Sequence, residues 1–275
     1  MKTWKYGISA APAAPKTAPI LLMGSICDCL RKAAKLGFDA IEYHTRENVT
    51  FDYEEILNTM EETGCRISVI VTGRLFTEGG FSLTRENPEN EQRALQGMLQ
   101  YIDMAATLKC GLVLGWAKGK IADASSRDVY FTRLTKNLRI LDEVASASGV
   151  PIMIEVINHY EVDAFLTAKE LTDYLNEQNF KSCYVHLDTF HMMIEEENYA
   201  KAIHTAGKQL GYVHFADNTR WYPGSGYTGF KEILRALDEV GYTGYLTIEC
   251  FPHEDRDETA IKGLKYLKCL AETLV

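Results

Sequence analysis

The chain has no CxxC pair, no GxGxxG phrase directly after a strand-like run and no long apolar run. Each absence excludes something. Without a CxxC, and with seven scattered cysteines (Cys27, Cys29, Cys65, Cys110, Cys183, Cys250, Cys269), neither a disulfide framework nor a thiolate metal site is indicated. Reduced, buried thiols in a cytoplasmic protein are the expectation. Without a glycine fingerprint after any strand, a dinucleotide-binding sheet loses its main signal. No run approaches the roughly 20 residues of a membrane span, and the opening MKTWKYGISAAP lacks the basic-then-apolar order of a signal peptide. Positive charge is also short: 29 Lys and Arg face 38 Asp and Glu, for a net charge of −9. That excludes a broad nucleic-acid surface and leaves small or metal-bound ligands.

What the chain has is alternation. Eight short apolar runs occupy 5–9, 39–44, 66–73, 111–116, 152–158, 182–188, 211–217 and 245–250. Such runs suit strands buried on both faces of a parallel sheet. Amphipathic stretches lie between them, at 25–36, 53–63, 89–108, 128–147, 168–177, 197–207, 228–239 and 257–273. Ser25 and Thr167 are expected N-caps, and Pro88 a helix start. Glycines in phrases such as KLGFDAIEY and LKCGLVLGW are expected to end helices with a left-handed turn. Eight βα units in 275 residues predict an α/β fold, a (β/α)8 TIM barrel forming a single domain over 1–275.

In such a barrel, chemistry sits at the C-terminal ends of the strands. Four neighbouring runs carry a ligand-type side chain there: Glu155 in IMIEVIN, Asp188 in YVHLD, His214 in YVHFAD and Glu249 in YLTIEC. A buried carboxylate needs a partner cation, and the eight runs contain only Lys5 and Arg66, both at the wrong end. Three oxygen donors and one nitrogen suit a divalent metal such as Mn2+, Mg2+ or Co2+, with Zn2+ also able to fit. A metal that polarises a carbonyl and its neighbouring hydroxyl stabilises an enediolate. Two carboxylates on opposite faces would then take a proton and return it, which is epimerisation. Glu155 and Glu249, three strands apart, are placed for that. His186, two residues before Asp188, is expected to support the site by hydrogen bonding from one layer below.

The phrases EVINHYE, HLDTFHMMIEEENY, GYVHFADNTRWYPGSG and GYTGYLTIEC resemble the D-tagatose 3-epimerase and D-psicose (allulose) 3-epimerase group. That group belongs to the xylose-isomerase-like TIM barrels. The match is dense from about residue 150 to 251. The resemblance implies that Glu155, Asp188, His214 and Glu249 bind metal, usually Mn2+, and that Glu155 and Glu249 exchange the C3 proton of a ketose. It implies that Glu161, His191 and Arg220 bind substrate hydroxyls, with His191 in the loop after its strand and Phe251 packed beside Glu249. It also implies a homodimer or homotetramer.

The resemblance is loose over the first 110 residues, and Cys65, Trp116 and the stretches 44–51 and 73–90 do not match those enzymes. Arg46, Arg74 or Lys118 from these segments could meet a phosphate, so a sugar-phosphate or hydroxypyruvate isomerase/epimerase is the alternative. The glycines of YPGSGYTGF are read as a turn before the last-but-one helix. A DNA-repair nuclease on the same barrel would need more metal-binding histidines and a basic face. A non-catalytic sugar-binding barrel would have no use for both acid/base candidates.

Overall fold

The protein is described by a computed structural model covering residues 4–253 and 255–274. Its strands are β1 (Lys5–Ala11), β2 (Leu22–Met23), β3 (Ala40–His44), β4 (Arg66–Val71), β5 (Gly111–Leu114), β6 (Ile152–Glu155), β7 (Cys183–Asp188), β8 (Leu210–Phe215) and β9 (Tyr245–Ile248). Its helices are α1 (Ile26–Leu36), α2 (Tyr53–Thr63), α3 (Gly73–Thr77), α4 (Pro88–Leu108), α5 (Arg127–Ser148), α6 (Ala168–Gln178), α7 (Thr189–Glu195), α8 (Tyr199–Ala206), α9 (Phe230–Glu239) and α10 (Arg256–Glu272).

Every pairing is parallel, and the order runs β1-β3-β4-β5-β6-β7-β8-β9. The ring closes where β1 returns to β9, Lys5 opposite Tyr245 and Ile8 opposite Ile248. This is the closed (β/α)8 barrel that the alternation predicts. The short β2 adds to the outer flank of β1, at Ala10–Leu22 and Ala11–Met23. Two residues are too short for an apolar-run signal, so it was not expected.

Closure splits the core. Outward-facing strand residues such as Ile8, Ile41, Ile70 and Leu112 pack against the helices. A separate cluster of Val69, Val71, Val113, Met153 and Tyr212 fills the barrel interior below the site. Side chains alternate along a strand, so residues two apart from these interior positions climb the same inner face. That places Glu155 above Met153 and His214 above Tyr212.

Local signals explain the helix ends. Ser25, Asn87 and Thr167 each accept a backbone N–H three residues on, and Pro88 sits in the first turn of α4. Gly37 ends α1 at φ 89°. In LKCGLVLGW, however, Lys109 takes the left-handed turn at φ 55°. Gly111 instead opens β5, where an added Cβ would press Met153 and Val69 at 3.2 Å. Two helices were not expected. The segment 73–90 contains α3, and His191 lies on α7 rather than in an open loop. Among the described residues, no helix is long and apolar enough to cross a membrane. Cys269 is exposed, while the six other thiols are buried and free.

Candidate active site

Glu155, Asp188 and His214 end or nearly end β6, β7 and β8, and Glu249 follows β9 by one residue. The barrel brings all four together. His214 Nδ1 lies 3.6 Å from Glu249 Oε2 and 3.9 Å from both Glu155 Oε1 and Asp188 Oδ2. Asp188, His214 and Glu249 offer ligand atoms that all lie within 4.8 Å of one another. Two atoms at this centre, His214 Nδ1 and Asp188 Oδ2, are buried with no hydrogen-bond partner. Such a group costs roughly 1–3 kcal/mol if left unmet. Convergent oxygens, one nitrogen and two orphaned atoms fit a divalent cation.

The electrostatics agree. Burial, with Glu249 and Asp188 adding to it, pushes the Glu155 carboxyl up to about 8. Burial also lifts Asp188 to about 6, against the pull of Arg220 and His214. Acids crowded this closely resist sharing negative charge unless a cation joins them.

His214 is held from behind. Its Nε2 lies 2.6 Å from Glu42 Oε2, deep in the interior on β3. The other Glu42 oxygen faces His44 Nε2 at 3.3 Å. Burial alone would raise the Glu42 carboxyl, but His214 and then His44 bring it down to about 2. Burial opposes charge on His214, yet Glu42 and Glu249 raise it to about 10. A carboxylate on the far nitrogen fixes the ring and aims Nδ1 at the centre. Sequence reasoning missed Glu42 and His44. The available signal was a fully charged residue inside the apolar run DAIEYH, the same signal that singled out the other four.

His186 differs from expectation. It is buried below His214, and neither ring nitrogen has a hydrogen-bond partner. Asp188 cannot serve it: Oδ1 accepts the Phe190 N–H at 2.8 Å, capping α7, and Oδ2 faces the centre. His186 instead packs edge-on against the His214 ring, with centroids 4.2 Å apart. Its support is steric.

The three expected substrate contacts surround the same space. Arg220 Nη2 donates to Glu249 Oε2 at 3.0 Å and lies 3.7 Å from Asp188 Oδ2. Its guanidinium sits 4.9 Å over the Phe190 ring and 5.7 Å over Phe251. Its backbone is left-handed at φ 59°, pinned by hydrogen bonds to Asp217 and from Phe251. Glu161 accepts from Trp116 Nε1 at 3.1 Å and from Asn158 Nδ2 at 3.3 Å, so it is not a free loop acid. Asn158 Oδ1 accepts the Tyr160 N–H, which turns its amide nitrogen to His191 Nδ1 at 2.6 Å. His191 therefore carries its proton on Nε2, 3.7 Å from Asp188 Oδ2 and 3.9 Å from Glu155 Oε1. Burial, and then Arg220, hold His191 well below the usual histidine range, so it is neutral. Gly115 gives Glu155 its room: a Cβ there would stand 2.8 Å from Glu155 Oε2.

Of these residues, Glu155, Glu161, His191, Arg220, Glu249 and Phe251 line a cavity of about 540 Å³ at the barrel mouth. The expected phosphate contacts are otherwise engaged. Arg46 and Arg74 both pair with Glu78. Lys118 is fully buried and donates to the Gly115 carbonyl at 3.3 Å. The glycine phrase does not face the cavity with free amides either. Gly224, Gly226 and Thr228 all give their N–H groups to the Asp217 carboxylate, at 2.9 to 3.0 Å.

Residues 30–270 match the family described as xylose isomerase-like TIM barrel. The L-ribulose 3-epimerase of Methylomonas sp. (strain DH-1) is 33% identical over 258 residues, covering 86% of this chain and 88% of that protein. The 3-dehydro-D-guloside 4-epimerase of Escherichia coli (strain K12) is 29% identical, covering 82% of this chain and 87% of that one. The crystal structure of D-allulose 3-epimerase from Methylomonas sp. in complex with D-allulose superposes with a TM-score of 0.82 at 25% identity, over 98% of each chain. The chain belongs to the xylose isomerase-like TIM barrel family, where sugar epimerases are among its relatives.

Proposed function

We propose that this protein is a divalent-metal-dependent ketose 3-epimerase acting on a neutral sugar. The observation that carries this reading is the pair of orphaned buried atoms, His214 Nδ1 and Asp188 Oδ2, converging with Glu155 and Glu249. Glu155, Asp188, His214 and Glu249 would hold the cation, with Mn2+ the first choice. When bound, the cation would polarise the substrate carbonyl and its neighbouring hydroxyl and offset the charge of the enediolate.

The rest falls to the protein. One of Glu155 and Glu249 removes the C3 proton, and the other delivers a proton to the opposite face. Their strands stand three apart in the ring, so the sugar has a carboxylate on either side of C3. Arg220 orients Glu249 and presents its guanidinium to substrate oxygens. His191 donates from Nε2 to a substrate hydroxyl, and Glu161 accepts from one. Phe190 and Phe251 cover the Arg220 guanidinium, which limits its hydration and strengthens its contacts.

The neutral substrate is favoured over a sugar phosphate by the engaged state of Arg46, Arg74, Lys118 and the glycine-phrase amides. The deciding experiment incubates the Mn2+-loaded protein with free and phosphorylated ketoses in D2O. Loss of the C3 proton signal from a free ketose is expected. Exchange only in phosphorylated ketoses would transfer the activity to the sugar-phosphate class.

A further inference from the structure

The side chains assigned to the reacting carbons, Glu155, Glu161, His191, Arg220 and Glu249, all come from the second half of the chain. The cavity does not end with them. It continues across the barrel mouth to the segment between β1 and β2 and to α3, where Pro15, Ala18, Pro19, Ile20, Arg74 and Thr77 line it.

Size is the first consideration. A hexose has twelve heavy atoms. At roughly 30 Å³ each, the share of a water in the liquid and a ceiling for bonded atoms, it fills at most about 360 Å³. The cavity holds about 540 Å³. At least about a third of the space is therefore beyond the reach of one ring.

That space has a fixed wall. Ser9 Oγ donates to the Pro19 carbonyl at 2.9 Å and accepts the Leu21 N–H at 3.2 Å. Arg256 donates to the Ile20 carbonyl and Arg74 to the Ala13 carbonyl. The Ala18 N–H donates to the Pro15 carbonyl at 3.1 Å, closing a turn in between. Ties at both ends and in the middle hold the segment in place.

The wall is mostly apolar, and its charges are paired, Arg74 sharing Glu78 with Arg46. Pro15, Ala18, Pro19 and Ile20 present apolar surface. Arg74 is matched by Glu78 at 3.1 Å, so an anion placed there would meet a carboxylate as well as a guanidinium. An uncharged ring suits both parts, with C–H faces on the prolines and hydroxyls on the Arg74–Glu78 pair.

We propose that the site takes a ketose bearing a second, neutral sugar ring, linked at the end remote from the carbonyl. The second ring lies between the 12–21 segment and α3. This rests on the epimerase reading above and adds the class of substrate to it.

The test compares 6-O-α-D-glucosyl-D-fructose with D-fructose, using the Mn2+-loaded full chain in D2O. The expected result is a kcat/KM for C3-proton exchange at least about tenfold higher for the two-ring ketose. Exchange of D-fructose as fast as, or faster than, the two-ring ketose overturns the inference while leaving the epimerase intact. If neither ketose exchanges, the epimerase reading fails and binding decides the inference. Calorimetry with the unreactive 6-O-α-D-glucosyl-D-sorbitol and D-sorbitol should then show about tenfold tighter binding of the larger polyol; equal binding overturns it. Ala18→Trp, which fills the far end, should bring the two-ring preference down several-fold in either assay. An unchanged ratio overturns the placement of the second ring.

Discussion

Glu42 Oε2 and His214 Nε2 stand 2.6 Å apart, joining β3 to β8 across the interior of the barrel. The contact leaves His214 one free nitrogen, and that nitrogen faces three carboxylates. Partners that orient a metal-ligating histidine typically carry 10–100-fold in metal affinity. Glu42→Leu should weaken Mn2+ binding by about that factor in a calorimetric titration, with the helical circular-dichroism signal retained. Glu42→Gln can still accept from Nε2 through its amide oxygen and should fall in between. Unaltered affinity in Glu42→Leu would remove the residue from the site.

Glu155 and Glu249 are each assigned a proton-transfer role, so neither amide variant should turn over. Glu155→Gln and Glu249→Gln are expected to lose on the order of 10²–10⁴-fold in kcat, the range of a general acid or base. Isotope exchange at C3 separates the two positions. A variant that washes out the proton but does not epimerise has lost only the returning acid. Full turnover in either variant would sink the two-carboxylate mechanism.

Removing the cation should cost stability as well as activity. Without it, His214 Nδ1 and Asp188 Oδ2 stay buried and unmet. At 100 times the Kd, a ligand that binds only the folded state adds about 2.7 kcal/mol. For a chain of 275 residues that is a rise of roughly 5 °C in Tm. Exhaustive EDTA treatment should lower the calorimetric Tm by that much and abolish exchange, and Mn2+ should restore both. A chelated protein that remains fully active would end the metal assignment.

Asp217 predicts a pH effect away from the reacting groups. Its carboxylate accepts four backbone N–H groups, from Asn218, Gly224, Gly226 and Thr228. Burial alone would raise it, but these hydrogen bonds hold the carboxyl below its ordinary value. A depressed carboxyl stabilises the fold above the unfolded aspartate value of about 3.9, and the gain is lost as pH falls through the folded value. Asp217→Asn should therefore destabilise the protein by about 1–3 kcal/mol at neutral pH in urea titration. The gap from the parent should close below about pH 4. A gap that stays constant down to pH 3 would show that the charge is not what holds this turn.

The sequence carried the barrel and the second-half acids because both rest on repetition. Each βα unit repeats one apolar pattern, and a charged group inside such a run stands out. Glu42 satisfies the same test, yet its partner lies 172 positions away. No spacing rule relates β3 to β8, so only closure of the ring reveals the pair. The helix α7 was hidden for a different reason. Asp188 serves both as the end of β7 and as the cap of α7, so strand and helix meet with no intervening turn residue. His186 kept its place but not its hydrogen bond, because Asp188 Oδ1 caps α7 and Oδ2 turns to the centre above. The wall of the far cavity was illegible because its apolar loop residues gain meaning only from what they face.

The β1–β9 seam also has a kinetic consequence. Lys5 pairs with Tyr245 and Ile8 with Ile248, contacts between the two ends of the chain. Contacts this distant in sequence form slowly, since loop entropy is lost before they return any energy. An unclosed sheet could present β6 to β9 with Glu155, Asp188, His214 and Glu249 already side by side. It would hold β3 beside β1 but not yet across from β8, and so would lack the Glu42 brace behind His214. A half-built barrel of this chain should thus collect the acids before it can aim the imidazole, and competence should arrive with the last strand pair.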